Sequence, residues 1–104
     1  MNKEMLKGTI DLLILSVLKE NDNYGYQISK VITDKSGETF EIQEATLYIA
    51  LKRLEKQHSI ESYWGEQSHG GKRKYYKVTN EGLSQLTVLK EDFNNLSNIV
   101  KRFM

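Results

Sequence analysis

Six apolar residues toward the C-terminus, Leu86, Leu89, Phe93, Leu96, Val100 and Phe103, follow one another at steps of 3, 4, 3, 4 and 3. That spacing is an a/d heptad seam, the pattern of a helix that packs along another helix. Thr79 stands directly before the segment as a good N-cap. A helix from Asn80 to Phe103 has 24 residues, roughly 36 Å at 1.5 Å per residue. A globule of about 100 residues has a radius of gyration of about 13 Å. The helix therefore overhangs its own domain, and a second copy of the chain is the economical cover for its seam.

The first helix makes a similar demand. Ile10, Leu13, Ile14, Val17 and Leu18 recur at helical spacing, with Leu12 and Leu15 off that stripe. A helix apolar nearly all round needs cover on two sides, and in a chain of 104 residues the second side calls for another subunit. That length favours one domain with a modest core. The run IDLLILSVL is too short to span a bilayer and lies in a charged frame. Nothing resembles a signal peptide. The absence of cysteine removes disulfides and thiolate metal sites. A cytoplasmic protein without a membrane segment is the default expectation.

Charge is concentrated in the middle. Residues 1–43 hold five lysines against seven acids, and residues 80–104 hold three charges of each sign. Residues 44–79 hold seven cations, Lys52, Arg53, Lys56, Lys72, Arg73, Lys74 and Lys77, against four acids. With a net charge of only +1, this is a local basic patch, the footprint of a polyanion as well as of ordinary solvated surface. Two segments carry it. EIQEATLYIALKRLEKQ predicts a helix with Leu47, Leu51 and Leu54 in one stripe and Ala50 beside it. Thr46, Tyr48, Ile49, Lys52, Arg53 and Lys56 lie off that stripe. An apolar back with a hydroxyl, phenol and cation front suits a DNA groove, although an amphipathic surface helix is the commoner use of the pattern.

The second basic segment is a hairpin. IESYW and RKYYKVT read as strands, with Ile60, Ser62 and Trp64 on one face of the first and Tyr76 and Val78 on one face of the second. GEQSHGGK between them reads as the connection, with Gly70 and Gly71 allowing a sharp tip and a close approach to a partner. Lys72, Arg73 and Lys74 cluster at and just after that tip, where nothing inside the protein needs them. Trp64 is expected to pack against the helices. Upstream, ENDNYGYQISKVITDKSG predicts another helix, with Asn23 as N-cap, Gly37 past its end, and Tyr26, Ile28, Val31 and Ile32 as apolar positions.

Helix, helix, helix, hairpin, long helix is the order of a winged helix-turn-helix with an appended dimerisation helix. The expected fold is thus mostly α with a small β-hairpin. Residues 1–79 form the DNA-binding domain and 80–104 the dimerisation helix of one compact unit. In such a fold the third helix enters the major groove, presenting Thr46, Tyr48 and Lys52. The hairpin is the wing, with Lys72, Arg73 and Lys74 reaching phosphates or the minor groove.

Five segments in this order, LKGTIDLLILSVL, NYGYQISK, EATLYIALKRLEK, IESYWGE and GGKRKYYKVTNEG, resemble the PadR family of bacterial transcriptional regulators. The resemblance runs over residues 6–82, and the short chain with one C-terminal helix is similar to the small subfamily. It implies a homodimeric repressor that binds a palindromic operator in double-stranded DNA and is released by a small hydrophobic or aromatic effector. It adds Tyr24 to the DNA-contacting positions. It also implies an apolar channel at the dimer interface, lined here by Phe93 and Leu96 with Ile10 or Leu13, and with Glu91 and Asp92 placed to favour a cationic ligand. Plain dimer packing is the simpler role for Phe93. Two positions depart from the family pattern. His58 stands where glycine is usual, followed by Ser59 in place of an apolar residue, which bears on how the third helix ends and where the wing sits. Ile49 replaces a frequent proline, which bears on the base edges read.

An enzyme finds no support in these residues. His58 and His69, the two histidines, have neither a nucleophile–base set nor metal-ligand spacing. HGGK is shorter than a phosphate-binding loop. No cofactor is expected. The alternative is a winged-helix protein-interaction module without a DNA target, whose long helix pairs with another protein. Cations on both the third helix and the hairpin favour DNA.

Overall fold

The helical and alternating periodicities translate into seven elements in a computed structural model, which describes residues 3–65 and 71–104, with side-chain detail from Gly8 onward. In chain order they are α1 (Lys3–Glu20), β1 (Asn23–Tyr24), α2 (Gly25–Lys35), α3 (Glu44–Lys56), β2 (Ile60–Gly65), β3 (Arg73–Val78) and α4 (Asn80–Lys101). The sheet is antiparallel in the order β1-β3-β2. Ser68, His69 and Gly70 of the expected hairpin tip lie outside the described residues; Gly71 has φ +96°, as a sharp tip requires.

α1 is the hub of the core. Ile10, Ile14, Leu15 and Leu18 are buried, and Leu12, Leu13 and Val17 are half-buried. Leu15, expected to await a second subunit, is fully covered by the chain itself. The reason is that α2, α3, α4 and β3 all pack on α1, so both of its sides are used internally. α3 contributes Leu47, Ala50, Leu51 and Leu54 to the core as its stripe predicts.

The start of α2 departs from expectation. Asn23 does not cap it: its side chain accepts a hydrogen bond from the Tyr24 N–H at 3.1 Å. Tyr24 occupies the cap position without a side-chain bond. Both residues are drawn into the sheet, Asn23 opposite Tyr76 and Tyr24 opposite Tyr75. Tyr26, expected among the apolar positions, is exposed, while Ile28 and Ile32 are buried.

The end of α3 answers the question raised by His58. His58 takes φ +62°. Its N–H donates to the Glu55 carbonyl at 3.0 Å, and the Ser59 N–H donates to the Leu54 carbonyl at 2.9 Å. This is the paired Schellman closure that glycine normally supplies. Ser59 is buried, its hydroxyl donating to Gln85 of α4. The left-handed region costs an L-residue about 1–2 kcal/mol, partly offset by the extra chain entropy glycine would lose. His58→Gly is therefore expected to stabilise the protein by about 0.5–1 kcal/mol, raising Tm by about 3–5 °C in a domain of this size. A thermal melt with an unchanged or lower midpoint would show that the imidazole contributes a compensating contact.

α4 starts as predicted, with the Thr79 hydroxyl accepting from the Gly82 N–H at 3.0 Å. It has 22 residues and stops at Lys101, so Phe103 lies just beyond it. Leu86 is buried and Leu89 half-buried against α1 and the core. The seam then leaves the globule: Phe93 is 57% and Leu96 61% exposed, followed by exposed Val100 and Phe103. The overhang accounts for a long axis of 52 Å and a radius of gyration of 14.7 Å.

Candidate nucleic-acid interface

The front of α3 is open to solvent. Thr46, Tyr48, Ile49, Lys52 and Lys56 are all exposed on the side away from Leu47, Leu51 and Leu54. Arg53 does not share that front. It is half-buried and forms an ion pair with Asp11 of α1, so its charge ties two helices together. Ile49, at 65% exposure, is a bare branched alkyl group on an otherwise polar surface, the kind of group that meets a thymine methyl in a major groove.

The wing abuts this front. Glu55 of α3 accepts a hydrogen bond from the Ser62 hydroxyl at 2.5 Å and lies 3.8 Å from the Lys74 ammonium. A shallow cavity of about 270 Å³ opens where α2, α3 and β3 converge, lined by Tyr24, Gly25, Tyr26, Tyr48, Arg73, Lys74 and Tyr76. The Tyr48 ring crosses Gly25 so closely that a Cβ there would stand 2.5 Å from its hydroxyl. Burial first, then the charge of Glu55, holds the Tyr76 phenol above its ordinary pKa, so it stays neutral beneath the two cations. Four of the sequence-predicted contact residues, Tyr24, Tyr48, Arg73 and Lys74, thus meet at one place. Thr46 and Lys52 continue the surface along α3, and Lys72 lies exposed at the hairpin tip.

The outer face of the sheet carries a second arrangement. Tyr63 and Tyr75 are opposite each other in the register, with rings stacked at 5.8 Å and 18°. Tyr75 meets Tyr24 edge-on at 5.5 Å. The Arg73 guanidinium lies 4.4 Å above the Tyr24 ring. The Tyr63 hydroxyl donates to Asp22 at 2.6 Å, and chiefly that bond pushes its pKa up.

Trp64 corrects the expectation of a core residue. It does share the inner face of the sheet with Ile60 and Ser62, opposite Lys74, yet it is 66% exposed. Strand alternation sets the face of a side chain but not its depth, and here β2 runs past the last turn of α3. Trp64 and Ile49 were not among the predicted contacts. The signal for both was present as an apolar side chain on a segment otherwise polar in front.

The four residues expected to line an effector channel are dispersed in one protomer. Ile10 is part of the core. Leu13 lines a cavity of about 220 Å³ with Val17, Ile32 and Phe40, a lining that includes neither Phe93 nor Leu96, which stand exposed on α4. Among the described residues no group of His, Asp or Glu could hold a metal ion, and no helix is long and apolar enough to cross a membrane.

Comparison with known proteins agrees with this architecture. A transcriptional regulator from Clostridium thermocellum superposes with a TM-score of 0.91 at 38% identity, covering 100% of this chain and 98% of that one. A PadR family transcription regulator from Clostridium difficile is 41% identical, with a TM-score of 0.78 over 90% of this chain and 96% of its own. A PadR-like transcriptional regulator from Bacillus cereus is 36% identical, with a TM-score of 0.82 over 97% and 96%. The model of the transcriptional regulator PadR-like family matches residues 14–88, which takes in α2, α3, the wing and the start of α4. With a winged helix, an exposed α3 front and cations gathered beside it, the chain belongs to the PadR-like family, whose members are DNA-binding transcriptional regulators rather than enzymes.

Proposed function

We propose that the protein is a homodimeric repressor in the cytoplasm that binds a palindromic operator. Residues 1–79 serve as the DNA-binding part and residues 80–104 as the dimerisation helix. The observation that carries this reading is the convergence of Tyr48 of α3 with Arg73 and Lys74 of the wing around one cavity. α3 lies in the major groove, where Thr46, Tyr48, Ile49 and Lys52 meet base edges and phosphates. Arg73, Lys74 and Lys72 follow the adjoining backbone. The exposed half of the α4 seam supports pairing with a second copy. That pairing sets two α3 helices about 34–36 Å apart for successive major grooves. Release by a small hydrophobic effector fits the same surface, since Phe93 and Leu96 are aromatic and aliphatic groups left uncovered in one protomer. Ile10 and Leu13 would contribute only after α1 shifts against its neighbours.

Trp64 supplies a test. It is the single tryptophan, and it stands exposed on the wing face next to Lys74. Titration with duplex DNA from immediately upstream of the protein's own gene is expected to change its emission at the same midpoint as fluorescence anisotropy of the labelled DNA. A scrambled duplex should bind at least about a thousandfold more weakly. Equal, weak binding to both duplexes, repeated with duplexes selected from a random pool, would overturn the repressor reading in favour of a protein partner.

A further inference from the structure

Arginine on a hairpin tip normally loses rotamer freedom when it engages a phosphate. Here that freedom is already restricted. The Arg73 guanidinium sits 4.4 Å over the Tyr24 ring, and no carboxylate among the described residues pairs with it. Lys74 differs, since Glu55 lies 3.8 Å from its ammonium. Tyr24 is itself fixed twice, by pairing with Tyr75 in the sheet and by its extended backbone at the cap of α2. Behind it Tyr75 stands edge-on at 5.5 Å and stacks on Tyr63 at 5.8 Å. Tyr63 is tied down by its bond to Asp22. Gly65 completes the pile, because a Cβ there would be 2.5 Å from the Tyr75 ring. None of these rings serves the core, which takes Ile60 and Tyr76 from the opposite face of the sheet.

We propose that Tyr24, Tyr75 and Tyr63 form a platform whose purpose is to hold Arg73 ready for the DNA backbone, and that Tyr24 acts on DNA through Arg73 rather than by touching it. Tyr24 is then a positioning residue. The proposal rests on the reading of the wing as a DNA contact. A ring face beneath a guanidinium attracts it through the quadrupole. It leaves the guanidinium edge, with its fork of N–H donors, free for phosphate oxygens.

The test is a double-mutant cycle on DNA affinity, using a duplex that the wild-type protein selects from a random pool. Tyr24→Leu is expected to weaken binding about two- to fivefold, the range of an exposed cation–π contact. In an Arg73→Ala background the same substitution should have no further effect, and Tyr24→Phe should bind like wild type. Gly65→Ala, which displaces the Tyr75 ring, should repeat the pattern if Tyr24→Leu folds poorly. Equal losses from Tyr24→Leu with and without Arg73 would overturn the proposal, as would a Tyr24→Phe variant as weak as Tyr24→Leu, which would mean that the phenol itself meets DNA. An Arg73→Ala variant with unaltered affinity and salt dependence would instead remove the wing reading, a separate failure.

Discussion

Leu96→Glu is expected to leave each protomer folded while splitting the protein into monomers and weakening operator binding about a hundredfold or more. Leu96 lies at the middle of the uncovered half of the seam, 61% exposed in the single chain, so the substitution removes little from the protomer's core. In a symmetric pairing of two α4 helices it falls at the interface twice. An uncompensated charge buried there costs about 3–5 kcal/mol, which raises the dimer dissociation constant on the order of a thousandfold. DNA affinity follows, because two half-sites held by one dimer gain about 10²–10⁴ over one half-site alone. Asn98→Glu adds the same charge on the other side of α4, where the residue is already exposed, and should change neither property. Sedimentation at micromolar concentration is the measurement. A Leu96→Glu protein that still sediments as a dimer would show that the seam is not where the copies meet.

Much of this architecture is legible in the chain because periodicity reports which residues share a face. The α3 stripe of Leu47, Leu51 and Leu54, the Thr79 cap and the α4 seam all follow from spacing alone, and each is where it was expected. What spacing cannot convey is where one element stops covering another. The seam residues Leu86 and Phe93 have the same pattern, yet one is buried and the other exposed, because the globule ends between them. Trp64 is the same case in a strand. β1 was hidden for a different reason: two residues carry no alternation, and only their partners Tyr75 and Tyr76, fifty positions away in the chain, make them a strand. Charge is ambiguous in the same way. Arg53 and Lys52 are neighbours in sequence, but Asp11 from a distant helix takes up the first and leaves the second exposed. His58 shows the converse, a departure from the family pattern that the backbone absorbs without altering the cap.

Replacing Lys72, Arg73 and Lys74 together by Ala should flatten the salt dependence of DNA binding more than any other change on this surface. Each phosphate neutralised contributes about 0.9 to the slope of log affinity against log salt. Three cations on each of two protomers set an upper limit of about 5 on the loss of slope. Lys74 lowers that figure, since its ammonium is 3.8 Å from Glu55 and is already partly compensated before DNA arrives. A loss of about 4 is the expected value, with affinity near physiological salt lower on the order of a hundredfold. All three side chains are exposed, so the fold and the dimer should survive, and the melting midpoint and sedimentation of the variant establish that independently. The discriminating comparison is with Lys52→Ala on α3. Removing that one cation should cost a slope of about 2 per dimer if α3 and the wing both follow phosphates. If the triple variant keeps the full wild-type slope while Lys52→Ala loses its share, DNA is held by α3 alone and the basic hairpin faces solvent. If both variants keep it, the cations on this face have another partner, and the protein-interaction reading gains the ground that DNA loses.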